Sequence, residues 1–176
     1  MAAPVLTDAN ASQSVSTHTI SVFVNNKPGV LVRVALVFSR RGFNIESLVV
    51  SPGVEGRFSR MTITCSGAPE DLGQVVKQLA KLVDVVHAID HTQDSTYSVE
   101  IALMKIECPI DARTEILQIA EHYKARVVDF GKEALILQAH GSSEKLDALT
   151  ELLRPYDLVE LVRSGKLLMA RGERVT

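Results

Sequence analysis

The chain has 176 residues, with 19 lysines and arginines against 21 aspartates and glutamates and a formal net charge of −2. This near neutrality gives no electrostatic case for nucleic acid or an anionic membrane, and no apolar run approaches the roughly 18 to 20 residues of a membrane span. The length suits one ordinary domain or two small ones, either able to bury a core.

Residues 1–16 are rich in Ala, Ser and Thr and hold no Lys or Arg, which predicts a disordered tail rather than a signal or transit peptide. From His18 the chain alternates, with Ile20, Val22 and Val24 on one face, the period of a half-buried strand. The strand stops at Asn25-Asn26. Pro28 suits the first turn of a helix, where its missing N–H would have no partner. Leu31, Val34, Ala35 and Phe38 then trace one apolar helical face ending near Gly42. Residues 43–51 and 57–65 alternate again and predict an antiparallel hairpin with a long tip around Pro52-Gly53. Pro69, followed by Glu70 and Asp71, starts a second helix with Leu72, Val75, Val76, Leu79 and Leu82 inward. Residues 84–90 complete the set.

Strand, helix, strand, strand, helix, strand closes with right-handed crossovers as a four-stranded antiparallel sheet under two helices, the ferredoxin-like unit. A polar linker at 91–96 follows and the pattern begins again. The second half has a strand at 97–108 and a helix at 111–123 with Ile116, Ile119, Ala120 and Tyr123 on one face. A hairpin of 125–130 and 134–139 follows, then a helix capped by Ser142 or Ser143 with Leu146, Leu149 and Leu153 inward, and a strand at 157–162. Residues 163–172 suit a short extra strand. The predicted fold class is therefore α+β, two ferredoxin-like βαββαβ domains over 17–92 and 96–176.

The first strand-to-helix loop, Asn25-Asn26-Lys27-Pro28-Gly29-Val30-Leu31, carries the functional signal. The N–H groups of Gly29, Val30 and Leu31 lack partners at the positive end of the helix dipole, a place for an anion. Gly29 lets a carboxylate approach the backbone, and the Asn26 side-chain oxygen can accept from an ammonium group. A free amino acid carries both charges on one carbon. The corresponding stretch of the second half, Glu107-Cys108-Pro109-Ile110-Asp111-Ala112-Arg113, has no Asn-x-Pro-Gly, which predicts one ligand site per chain or one shared by two chains.

Other constellations carry less. His87, Asp90, His91 and Asp94 lie on a strand end and linker, where residues four apart stand too far from each other to gather a metal, and read as solvated. His18, His122 and His140 read as surface residues. Ser164-Gly165-Lys166 lacks the upstream glycine and the strand-loop-helix frame of a phosphate loop. Arg41-Gly42-Phe43 begins like an RNA-recognition signature but falls on the second strand, not the third, and aromatics are 5% of the chain. Cys65 and Cys108, far apart in apolar alternating runs, read as reduced thiols, which points to a cytoplasmic setting. No nucleophile-base set or carboxylate pair is apparent, so no residues for catalysis or metal binding are expected.

Asn26-Lys27-Pro28-Gly29-Val30-Leu31, Phe38-Ser39-Arg40-Arg41-Gly42-Phe43-Asn44-Ile45-Glu46-Ser47-Leu48, Ser59-Arg60-Met61-Thr62-Ile63 and Gln78-Leu79-Ala80-Lys81-Leu82-Val83-Asp84-Val85 together resemble the small regulatory subunit of acetohydroxyacid synthase (acetolactate synthase), whose first half is an ACT domain. In the second half the likeness rests on Val127-Val128-Asp129, Lys145-Leu146-Asp147-Ala148-Leu149, Arg163-Ser164-Gly165 and Ala170-Arg171-Gly172. The resemblance implies a non-catalytic partner of a large subunit that carries thiamine diphosphate, magnesium and FAD. That large subunit condenses 2-keto acids on the way to valine, leucine and isoleucine. The small subunit raises its activity and confers feedback inhibition by valine. ACT domains pair side by side as dimers, with the effector at the interface. By position, Asn26, Gly29, Val30 and Leu31 would come from one chain and Asn44 and Ile45 from the other. Ile45, Val30 and Leu31 would then form a small aliphatic pocket. Such a pocket discriminates by on the order of 1–3 kcal/mol per methylene, so leucine and isoleucine are expected to bind more weakly. The alternative reading is a free-standing ACT-type amino-acid sensor acting on another enzyme or regulator.

Overall fold

The structure, a computed structural model, describes residues 16–176; the tail expected over 1–16 lies, but for Ser16, outside the described residues. The first half contains β1 (Ser16–Asn25), α1 (Val30–Arg40), β2 (Asn44–Pro52), β3 (Phe58–Gly67), α2 (Pro69–Leu79) and β4 (Val85–Asp90). The second contains β5 (Thr96–Glu107), α3 (Arg113–His122), β6 (Arg126–Phe130), β7 (Ala134–Gly141), α4 (Ser143–Leu153), β8 (Leu158–Arg163) and β9 (Leu167–Ala170). Each half is the βαββαβ unit that the alternation and helical stripes predicted. The sheets are antiparallel, ordered β2-β3-β1-β4 and β6-β7-β5-β8. The expected extra strand is β9, which pairs with Thr96 to Val99 at the start of β5.

The helices of each half cover one sheet face, because the period-2 apolar residues face them. Ile20, Val22 and Val24 of β1 and Met61, Ile63 and Cys65 of β3 pack with Val34 and Phe38 of α1 and with Leu72, Val75 and Leu79 of α2. In the second half Ala102, Met104 and Ile106 of β5 and Leu135 and Leu137 of β7 meet Ile116, Leu146, Leu149 and Leu153. Ser142 caps α4 by accepting a hydrogen bond from the Lys145 N–H. One stripe differs from the expectation. α1 buries Val30, Val34 and Phe38, whereas Leu31 is 42% exposed. The helix begins at Val30, and the spacing of four aims that row inward while Leu31 is rotated about 100° out of it.

The opposite face of the first sheet presents Ser21 and Phe23 of β1, Arg60 and Thr62 of β3, and Val49 of β2, as their cross-strand pairing requires. The second half lies against this face. Gly165 is buried, with φ +79°, and a Cβ there would come within 3.0 Å of Ser47 and 3.2 Å of Val49. The Arg163-Ser164-Gly165 motif is thereby explained as structural. Arg163 pairs with the buried Glu100 and with Asp147, the Ser164 hydroxyl accepts from the Ile101 N–H at 3.0 Å, and Gly165 provides the close approach.

Candidate functional site

Alternating residues carry β1 to Asn25, whose N–H donates to the Asp84 carbonyl, and that of Asn26 donates to the Arg57 carbonyl. The chain then turns through Gly29, which caps α1 at φ +81° and ψ −8° with no side-chain cap bond. This left-handed conformation is the reason for glycine here. Arg33 N–H closes the first helical bond on the Gly29 carbonyl at 3.2 Å, and Val30 N–H reaches Lys27 only at 3.4 Å. The N–H groups of Gly29 and Leu31 have no partner among the described residues. The start of α1 thus leaves two N–H groups open at the positive end of the helix dipole. Asn26 donates its amide Nδ2 to the Gly56 carbonyl at 3.0 Å, which ties the turn to the β2–β3 hairpin tip and leaves the amide oxygen to accept.

Sequence reasoning missed Arg33. Its guanidinium lies beside the turn, 3.4 Å from where a Gly29 Cβ would be, and pairs with Asp84 at 2.5 Å. The signal was available, since a residue four beyond Gly29 stands over the first turn. Val30 requires a correction. Its side chain is 2% exposed and belongs to the core, so it cannot line an effector pocket; only its N–H faces the turn.

Asn44 and Ile45 sit at the other end of α1. That helix has 11 residues, about 16 Å of rise, so a single chain does not bring them to Gly29. Asn44 donates to Glu46 Oε1 at 2.7 Å, Ser66 donates to the same oxygen, and Ile45 packs against the core margin. These hydrogen bonds from Ser66 and Asn44 hold the Glu46 carboxyl below the usual glutamate range. Leu31, Val32 and Leu36 of α1 expose apolar surface, and β2 is an edge strand of its sheet.

Two of the remaining histidines resolve differently from their sequence reading, whereas His122 and His140 are exposed as expected. His91 is buried, not solvated. Its Nε2 lies 2.9 Å from Ser21 Oγ and its Nδ1 3.1 Å from Asp94 Oδ2. The three form a relay invisible in sequence because 70 residues separate Ser21 from His91. Ser21 is 1% exposed, so no substrate reaches its hydroxyl, and the relay serves as a tie between linker and sheet. His18 is also buried, beside Phe43, because the inward face of β1 extends one alternation further back than Ile20. His87 is stacked on Phe23. No group of three or more His, Cys, Asp and Glu gathers among the described residues. Cys65 and Cys108 are free and buried, and burial, with Asp90 and Glu46 nearby, pushes the Cys65 thiol up to about 12.

Comparison with known proteins matches both halves to family models. Residues 20–87 match the acetohydroxyacid synthase small subunit-like ACT domain, and residues 99–172 the small subunit of acetolactate synthase. The acetolactate synthase small subunit of Mycolicibacterium smegmatis is 42% identical over 93% of this chain and 96% of its own length. A probable acetolactate synthase small subunit of Archaeoglobus fulgidus is 41% identical over 89% and 98%. The crystal structure of the small subunit from Thermotoga maritima superposes with a TM-score of 0.80 at 32% identity, over 90% of this chain and 99% of that one. With both halves matched in order and the fold reproduced, the chain belongs to the acetolactate synthase small-subunit family.

Proposed function

We propose that this chain is the non-catalytic regulatory subunit of acetolactate synthase, and that it binds valine at a site shared by two copies. The large subunit holds the thiamine diphosphate, magnesium and FAD and performs the condensation. The small subunit raises its activity and transmits feedback by valine from branched-chain amino acid synthesis. The observation that carries this reading is the glycine-capped, unpartnered N-terminus of α1 with Asn26 beside it. The effector carboxylate is received by the Gly29 and Leu31 N–H groups next to Arg33, and the ammonium by amide oxygens. A second copy paired along the open β2 edge, with the apolar strip of α1 covered, brings Asn44 and Ile45 to the first copy's turn. Family membership favours this reading over a free-standing sensor.

Feedback requires that valine favour one arrangement of the complex over another, since equal affinity for both shifts nothing. The test is calorimetric titration of valine into the purified chain and into the chain reconstituted with its large subunit, with Asn26→Ala as control. Saturable binding that is lost in the control, accompanied by inhibition of the reconstituted enzyme, is expected. Binding that survives Asn26→Ala removes the site from this turn. A reconstituted complex neither activated nor inhibited leaves the free-standing sensor as the better account.

A further inference from the structure

A cleft of about 950 Å³ opens on the side of the first sheet away from α1 and α2, between that sheet and β5 and β9. Its walls are apolar on both sides, with Phe23, Val49 and Phe58 below and Val99, Leu168 and Met169 above. One cation stands within them. Arg60 lies with its guanidinium carbon 5.3 Å from the Phe23 ring centroid, and its Nη1 is buried without a hydrogen-bond partner among the described residues. Among the described residues no carboxylate pairs with it; Glu55, on the hairpin tip at the mouth, is exposed.

We propose that this cleft is a second small-molecule site, distinct from the turn at Gly29, which takes a mono-anion with an apolar body, such as an aliphatic carboxylate. Arg60 lines the cleft and is only half-buried, so an anion there can meet its guanidinium once a small side-chain rotation brings out Nη1, the donor that is costly to leave unmet. The apolar walls recognise the body of the same ligand, and the size lies within the range of ordinary ligand cavities. Burial also lowers the pKa of Arg60, in keeping with a desolvated guanidinium. The cleft is built from both halves, so an occupant touches β2 and β3 of the first and β9 of the second. It thereby couples to how the halves sit together, with no contact to α1.

Octanoate serves as the probe and 1-octanol as its neutral counterpart, each titrated calorimetrically into the full-length chain. Octanoate is expected to saturate with one site per chain and to bind about tenfold or more tightly than octanol, the worth of a charge-assisted contact. Arg60→Leu removes that preference and leaves octanol binding unchanged, whereas Leu168→Trp, which fills the cleft, weakens both. A nuclear Overhauser effect from octanoate to the Met169 methyl places the probe independently of any variant. Equal affinity for the two probes, octanoate binding unaltered in Arg60→Leu, or no saturation at millimolar probe, as when a second copy covers the cleft, each overturns the proposal.

Discussion

Replacing Gly29 by Asp tests the proposed effector site most directly. The residue caps α1 at φ +81°, a conformation that costs other residues on the order of 1–2 kcal/mol, and aspartate somewhat less. The new Cβ would lie 3.4 Å from Arg33 Nη1, so the introduced carboxylate meets that guanidinium, and an exposed pair returns roughly 0.2–1 kcal/mol. Net destabilisation is therefore within about 1 kcal/mol, and the melting temperature falls by only about 2–4 °C for a chain of this size. Binding is affected far more. Two carboxylates about 4 Å apart repel by about 4 kcal/mol at an effective dielectric constant near 20. With half of that screened and offset by Arg33, about 2 kcal/mol remains and valine affinity drops on the order of thirtyfold. Calorimetric titration and thermal melting read the two quantities separately, and Gly29→Ala isolates the backbone strain from the charge. Unchanged valine affinity in Gly29→Asp refutes the placement of the carboxylate. Equal losses in Ala and Asp show that backbone geometry, not charge, is responsible.

Two further predictions concern the framework. Arg163→Met strands the 5% exposed Glu100, which keeps only the Ser143 hydroxyl bond; because Arg163 is itself partly exposed, the cost is discounted to about 2 kcal/mol. Thermal unfolding should show that loss, with valine binding at the first half unchanged. Glu46→Gln removes a carboxyl held below its ordinary range by Ser66 and Asn44. A depressed carboxyl stabilises the fold above its unfolded pKa and loses that contribution as pH falls through the folded value. The variant should be less stable than the parent at neutral pH and converge with it in acid, below the normal glutamate range. A constant gap across a pH series of melts contradicts the assignment.

Legibility in the sequence followed the reach of the interactions. The βαββαβ order of each half rests on alternation and on punctuation such as Pro69 and Ser142, both local, and it is reproduced. The turn at Gly29 was legible only in part: proline and glycine at a strand-to-helix junction marked it, but the sequence put Pro28 in the first helical turn, whereas Gly29 caps the helix in a left-handed conformation and α1 starts at Val30. What escaped depends on distant surfaces meeting. Ser21 and Thr62 look like the solvated face of a strand, yet both are buried. Ser21 is met by His91, seventy residues along the chain, and nothing near either residue signals the partner. Arg60 likewise reads as a solvent-facing strand residue until the second half supplies the other wall of its cleft. Val30 was misplaced by one position of a helical stripe, a rotation of about 100° that periodicity over three turns does not fix.

The duplicated architecture makes the contrast between its two first strand-to-helix turns informative. Each half places an arginine early in its first helix, and the two are used oppositely. In the second half α3 is capped by Ala112 in an ordinary right-handed conformation. The Arg113 guanidinium folds back to donate to the carbonyls of Cys108, Gly131 and Lys132 and stacks on Phe130. That helix start is fastened to its neighbouring hairpin by the chain's own cation, which occupies the place a ligand would need. In the first half a left-handed glycine takes over the cap, Asn26 fastens the hairpin with one hydrogen bond, and Arg33 keeps its guanidinium about half exposed at the rim of the open turn. The same topology thus yields a closed junction in one half and a receptive one in the other. The difference lies in residues 26–33 and 109–113, with the strands and helix cores unaffected. On the function proposed above, the first half senses and the second holds, and a lesion in either should separate effector response from stability.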